Sequence, residues 1–250
     1  MSFADPTWGL VGPGELRAIF VVSPHFDDAV MGTGQLLEAH PGSTVVTVFG
    51  GRPERYPDRL TDWDARGGFT LDDDIVVVRR EEDRSALQIL EARREWLDFV
   101  DHQYLEKAER PTAEDVAVAL GEAISGATAV FLPMGLANPD HVTTHDAGLL
   151  VRERHPDLAW FCYEDSGYKH LPGLLAWRVA KLFRSGIWPT PAVIPVGADP
   201  TRKKAAVACY ESQLAPLQDH ELAARLEANV PEQYWRLAGP PKGWEGLADL

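Results

Sequence analysis

At 250 residues, with 45% hydrophobic and 25% charged side chains, the chain has the composition of a globular protein with one substantial core. Its net charge of −14 excludes nucleic acid and anionic membrane surfaces as main partners, because both need a basic footprint. Cys162 and Cys209 are too few for a disulfide framework, no apolar run approaches the ~20 residues of a membrane span, and no signal peptide is visible, so the expectation is a cytoplasmic protein.

Residues 16–22 form a near-continuous apolar run that reads as a buried strand, and it stops at Pro24. A helical pattern follows from Asp28 through Met31, Leu36 and Leu37, with Gly32 and Gly34 inside it, where tight helix–sheet contact is the plain reason for glycine. Residues 43–49 predict a second strand, closed by Gly50-Gly51. Residues 52–74 carry prolines, glycines, Arg52, Tyr56 and Trp63 without sustained periodicity, and read as a substrate-facing loop or a solvated connection. The run Asp72-Asp73-Asp74 reads as solvated surface. A helix is expected over 79–94, a short strand over 96–100, a helix over 111–125 and a buried strand over 129–134. Next come a helix over 141–154 and a strand over 158–163, then a helix over 174–183, a short strand over 192–196 and a helix over 201–214. The tail, with Pro231, Trp235, Pro240, Pro241 and Trp244, is expected to wrap the domain. Strands alternating with helices predict an α/β fold, a Rossmann-like three-layer αβα sandwich with a mainly parallel sheet.

Two strand-to-helix turns carry the chemistry, and in a parallel sheet both lie at the same edge. The first holds His25, Asp27 and Asp28; the second holds Asp140 and His141. A hydrolytic zinc site takes three protein ligands and leaves a position for water. His25, Asp28 and His141 supply two nitrogens and an oxygen, with Asp27 unligated beside them as a proton acceptor. Zinc lowers the pKa of its water from 15.7 to about 7. The plainer alternatives are a hydrogen-bonded cap cluster, with Asp28 as a helix N-cap. His145, one turn after His141, is a further candidate for orienting a neighbour or for ligation. His40, His102, His155, His170 and His220 show no partner pattern, and Tyr163, Glu164 and Asp165 end a strand at the active edge.

The stretch Ser23-Pro24-His25-Phe26-Asp27-Asp28-Ala29 resembles the His-Pro-Asp-Asp-Glu signature of the PIG-L/LmbE-like zinc N-deacetylases, and Asn138-Pro139-Asp140-His141 resembles their His-Pro-Asp-His signature. Arg79-Arg80-Glu81-Glu82 and Tyr163-Glu164-Asp165 resemble weaker landmarks, so the likeness spans most of the chain. It implies one deacetylase domain over residues 1–250. It also implies Zn2+ held by His25, Asp28 and His141, Asp27 as general base, and removal of acetyl from an N-acetylglucosamine unit as acetate and free amine. The Pro-His-x-Asp-Asp-Ala-Val variant is most similar to members of bacterial specialised metabolism, including glycopeptide-antibiotic deacetylases. Phe26 and Ala29 depart from the signature at positions that supply no ligand. Asn138 replaces a histidine thought to stabilise the oxyanion, and offers a neutral donor with no proton to lose. Asp140 is expected beside the catalytic groups, and Arg52, Trp63 and Tyr163 on the substrate side. Larger N-acyl amides, a thiol-sugar conjugate, or non-hydrolytic sugar binding are the alternatives; a homo-oligomer is compatible with the sequence.

Overall fold

The computed structural model describes residues 9, 11–12, 14–196, 199–218 and 231–240. A seven-stranded sheet in the order β3-β2-β1-β4-β5-β7-β6 forms its centre. β1 (Ile19–Ser23), β2 (Thr44–Thr47), β3 (Arg93–Trp96), β4 (Ala129–Pro133) and β5 (Ala159–Tyr163) run parallel, with Val21 opposite both Val45 and Phe131. β7 (Tyr234–Ala238) is inserted antiparallel between β5 and β6 (Trp188–Ala192). The alternation of side chains along each strand divides the core. Val21, Val45, Phe131 and Phe161 face α1 (Asp28–Ala39), α3 (Ile75–Ile89) and α7 (Thr201–Val207). Val22, Val46, Leu132 and Cys162 face α4 (Ala113–Ala123), α5 (Pro139–Arg154) and α6 (Leu174–Arg184). The central strands are buried on both faces, hence their unbroken apolar runs.

Local chemistry sets the boundaries. Thr112 and Asp115 form a reciprocal capping box that starts α4. Gly32 lies where a Cβ would stand 2.6 Å from the Tyr163 ring, and Gly34 where it would stand 2.6 Å from Lys203 on α7, as the close-contact reading of these glycines expects.

Several expected elements shift. α3 begins at Ile75 because Asp74 caps it, and ends at Ile89, before Glu91 in the left-handed region. The acidic run is therefore not merely solvated: Asp74 is a cap and also pairs with Arg52 at 2.7 Å. The strand expected over 96–100 is instead β3 at Arg93–Trp96, an edge strand whose charged residues hide it from a hydrophobicity pattern. The 192–196 strand lies earlier, as β6, where Pro189 and Pro191 are tolerated at a sheet edge. The 201–214 helix is two, α7 and α8 (Glu211–Gln218), parted at Tyr210, whose buried hydroxyl donates to Asp83 at 2.9 Å. Trp235 of the tail lies in β7, while Pro241, Trp244 and His220 fall outside the described residues.

Loop 52–74 contains a short helix, α2 (Asp62–Arg66), and is stapled down. Buried Arg79 donates to buried Asp64 at 2.8 Å, and Tyr104 donates to the same carboxylate at 3.0 Å. Among the described residues no helix is long and apolar enough to cross a membrane.

Candidate active site

The strand order switches between the parallel neighbours β1 and β4: β2 and β3 are laid down outward from β1 on one side, and β4 and β5 on the other. The crevice at the carboxyl ends of such a pair is where open α/β sheets bind ligands. Both signature turns open there.

After β1, Ser23 clamps the turn. Its Oγ accepts from the Ala29 N–H at 2.9 Å and donates to the His25 carbonyl. Asp28 does not cap α1; its Oδ2 accepts the His25 N–H at 2.9 Å and is held inward. Phe26 turns into the core edge-on to Trp96, which anchors the turn from below. After β4, Asn138 caps α5 by accepting from the Asp140 N–H at 2.8 Å, and Pro139 occupies the first turn. Asp140 and His141 then project back toward the first turn.

The two turns converge on one oxygen. Asp28 Oδ2 lies 3.3 Å from His25 Nδ1 and 3.2 Å from His141 Nε2, and the imidazole centroids are 5.3 Å apart. The far nitrogen of each ring is engaged by another carboxylate: His141 Nδ1 donates to Asp165 Oδ1 at 2.5 Å, and His25 Nε2 donates to Asp140 Oδ2 at 3.0 Å. Carboxylates behind histidines fix the ring and the tautomer, so both rings present their remaining nitrogen to a common point. Two imidazoles and a carboxylate arranged this way fit a borderline divalent cation such as zinc.

Burial disfavours charge on every group here, and the neighbours decide the outcome. Burial lowers His141, but the charge of Asp28 and the Asp165 hydrogen bond outweigh it and lift the ring to about 9. Burial likewise opposes His25, and the hydrogen bonds of Asp140 and Asp28 raise it well above an ordinary histidine. Burial raises Asp28, yet His141 and His25 hold it far below the usual carboxylate range. Asp27 moves the other way: burial and the charge of Asp28 push it up to about 7. Two adjacent carboxylates are thus driven apart, one held as an anion and the other brought near neutrality.

The remaining expected residues distribute unevenly. Asn138 is engaged on both sides, its oxygen by α5 and its amide by the Tyr168 hydroxyl. Tyr163 is displaced from the substrate side: it is fully buried, its hydroxyl donates to the Val22 carbonyl at 2.9 Å, and its ring supports α1 beneath Gly32. Arg52 pairs with Asp74, and Trp63 lies half-buried on α2 with the Arg66 guanidinium 5.9 Å from its ring. His145 donates Nδ1–H to the Pro133 carbonyl at 2.8 Å, and burial with the Arg178 charge lowers it to about 3; it joins neither cluster of described residues able to hold a cation.

Three residues at the site, Tyr168, Asp101 and His102, stand out only in three dimensions. Tyr168 sits edge-on over His141 at 5.2 Å. Asp165, at the end of a strand facing the site, was within reach of sequence reasoning. Asp101 and His102 were not, because they approach from a short 3-10 turn, η1 (His102–Tyr104), beyond the charged edge strand. Hydrogen bonds to Asp101 and Asp140 raise His102 to about 9.

Comparison with solved structures gives relatives of the whole fold. A deacetylase triple mutant (Orf2*T) of the teicoplanin biosynthetic pathway is 26% identical, with a TM-score of 0.72, covering 90% of this chain and 100% of that one. The A40926 pseudoaglycone deacetylase Dbv21 is 26% identical, with a TM-score of 0.69, covering 89% and 97%. GalB, the 4-carboxy-2-hydroxymuconate hydratase of Pseudomonas putida KT2440, is 18% identical, with a TM-score of 0.54 over 90% and 97%, and shares the fold. No curated sequence matches the chain. The family described as PIG-L, GlcNAc-PI de-N-acetylase, matches residues 20–151, more than half the chain and the part that holds both signature turns. With all but the first residue of β1, the whole of β4 and the His25, Asp28 and His141 convergence inside that span, the chain belongs to the PIG-L family.

Proposed function

We propose that the protein is a zinc-dependent N-deacetylase that removes the acetyl group from an acetylated amino sugar or an N-acetylglucosaminyl glycoconjugate. The observation that carries this reading is the division of labour at the first turn. Asp28 is drawn into the histidine cluster, while its neighbour Asp27 is lifted to about 7 beside it. A pure binding site has no use for that second carboxylate. The two deacetylases at 26% identity support the reaction class.

His25, Asp28 and His141 would hold the cation, which supplies Lewis-acid activation of the amide carbonyl and of water when bound. The chain's own groups manage the protons. Asp27 accepts a proton from the attacking water as the oxygen–carbon bond forms at the acyl carbon. The tetrahedral oxyanion then collapses, the carbon–nitrogen bond breaks, and Asp27 returns the proton to the departing nitrogen, leaving acetate and a free amine. A pKa near neutrality suits a group that must take and then give the same proton. Tyr168, above His141, is the hydroxyl donor for developing oxyanion charge, and Asn138 acts by holding that hydroxyl. Arg52 and Trp63, on the 52–74 loop, are proposed substrate-binding residues, Trp63 as a ring for stacking on the sugar.

The test is acetate and amine release from N-acetylglucosamine, simple N-acetylglucosaminides and a glycopeptide pseudoaglycone, before and after chelation and zinc return. Release that disappears on chelation and returns with zinc supports the reading. Zinc binding without release from any of these, but with release from a longer acyl amide, would move the assignment to an amidase.

A further inference from the structure

His25 is held from behind by Asp140, and Asp140 in turn is held by His102. Asp140 Oδ2 receives three donors: His25 Nε2 at 3.0 Å, His102 Nδ1 at 3.0 Å and the His102 backbone N–H at 3.1 Å. Asp140 is 3% exposed, so protein donors and not bulk water set the direction of its carboxylate. Two of its three donors come from a single residue. We propose that His102 is a positioning residue of the site, acting through Asp140 to fix the ring of His25. The proposal rests on the cation-binding reading of His25, Asp28 and His141.

His102 is itself fixed from a distance. Asp101 Oδ1 lies 3.2 Å from its Nδ1, and Asp101 caps η1 by accepting the Gln103 N–H at 2.9 Å. Gln103 donates its side-chain amide to Asp101 Oδ2 at 2.8 Å and accepts the Thr61 hydroxyl at 2.7 Å. Loop 52–74 therefore shapes the site through η1 and need not close over it. His25, Asp101, His102 and Asp140 lie near enough together to hold a cation of their own. The hydrogen bonds argue against that use. A neutral imidazole has one free lone pair, so a His25 that offers Nδ1 beside Asp28 and His141 carries its proton on Nε2, donates it to Asp140 and cannot ligate there.

The experiment compares full-length wild type with His102→Ala and His102→Asn, the second keeping an amide donor near the Nδ1 position. Zinc stoichiometry and affinity are read by competition with a chromophoric chelator, alongside thermal unfolding and amine release. Loss of a partner that holds a ligand directly weakens metal binding about 10–100-fold. His102 acts one residue further out, so zinc is expected to weaken about 10-fold in His102→Ala, with His102→Asn staying near the wild-type value. His102→Phe keeps the ring volume without the donor, and gives the same comparison if the alanine variant fails to fold. Unchanged affinity in the variants lacking a donor overturns the proposal. So does a second equivalent of zinc in wild type that disappears in His102→Ala, since His102 would then be a ligand. Wild type that binds no zinc overturns the proposal and the site together. Zinc affinity that depends on the donor at position 102, in a protein that releases no amine from any N-acetyl sugar, upholds the positioning role and removes only the substrate assignment.

Discussion

The buried triangle of Asp64, Arg79 and Tyr104 makes the sharpest statement about what holds the long loop in place. Asp64 is fully buried and Arg79 is 5% exposed; their contact is 2.8 Å, and Tyr104 donates to the second carboxylate oxygen at 3.0 Å. Replacing Asp64 by Asn keeps the shape and an acceptor for Tyr104, but leaves a buried guanidinium without its counter-charge. Breaking a buried pair from one side costs about 3–5 kcal/mol. For a chain of this size that corresponds to roughly 6–20 °C in melting temperature. Tyr104→Phe removes one neutral donor and should cost only about 1 kcal/mol, because Arg79 still satisfies the carboxylate. Urea unfolding of Asp64→Asn, Arg79→Met and the double variant gives the coupling directly. The double variant should be more stable than Asp64→Asn alone, since it removes the stranded cation. A loss below about 1 kcal/mol in Asp64→Asn, or a double variant no better than the single, would refute the clamp.

Other consequences are open to simpler measurements. Gly32→Ala drives a Cβ to 2.6 Å from the Tyr163 ring, and should lower stability by about 1–3 kcal/mol in urea titration. Burial raises Asp83 from 3.8 to about 6 although Trp96 and Tyr210 both donate to it. The folded state thus binds more protons than the unfolded state between about pH 4 and pH 6, and stability falls as pH rises through that window. The effect totals about 3 kcal/mol, so the stability difference between Asp83→Asn and wild type should shift in the variant's favour from pH 4 to pH 7. A pH-independent difference would exclude it. Asn138→Ala removes the α5 cap and is expected to cost about 0.5–2 kcal/mol of stability. If Asn138 also holds Tyr168, turnover falls while the alkaline limb of the rate profile stays put; unchanged turnover removes Asn138 from the mechanism.

Much of the fold was legible because the central strands are buried on both faces and therefore read as apolar runs. The edges were not. β3 is written in Arg93, Arg94 and Glu95, β6 contains two prolines, and β7 is recruited from a proline-flanked tail to pair with residues far back in the chain. The site divided along the same line. His25, Asp27, Asp28, Asp140 and His141 lie in two compact turns where local spacing carries information, and the fold brings His25, Asp28, Asp140 and His141 into contact. Tyr163 looked available because it ends a strand at the active edge, yet side-chain alternation turns it beneath Gly32. Asp101 and His102 left no local signal. Their role depends on where an edge strand delivers a three-residue turn, a tertiary fact that no spacing rule encodes.

The central claim is that Asp27 moves the proton in an amide hydrolysis whose cation site is built by its neighbours. It is tested most directly by acetate release from an N-acetylglucosaminide with wild type and Asp27→Asn, zinc content being measured on the same samples. The account predicts near-equal zinc in both proteins, with turnover reduced about 10²–10⁴-fold in Asp27→Asn. Equal turnover at equal zinc would contradict it, and would place the base elsewhere in the site.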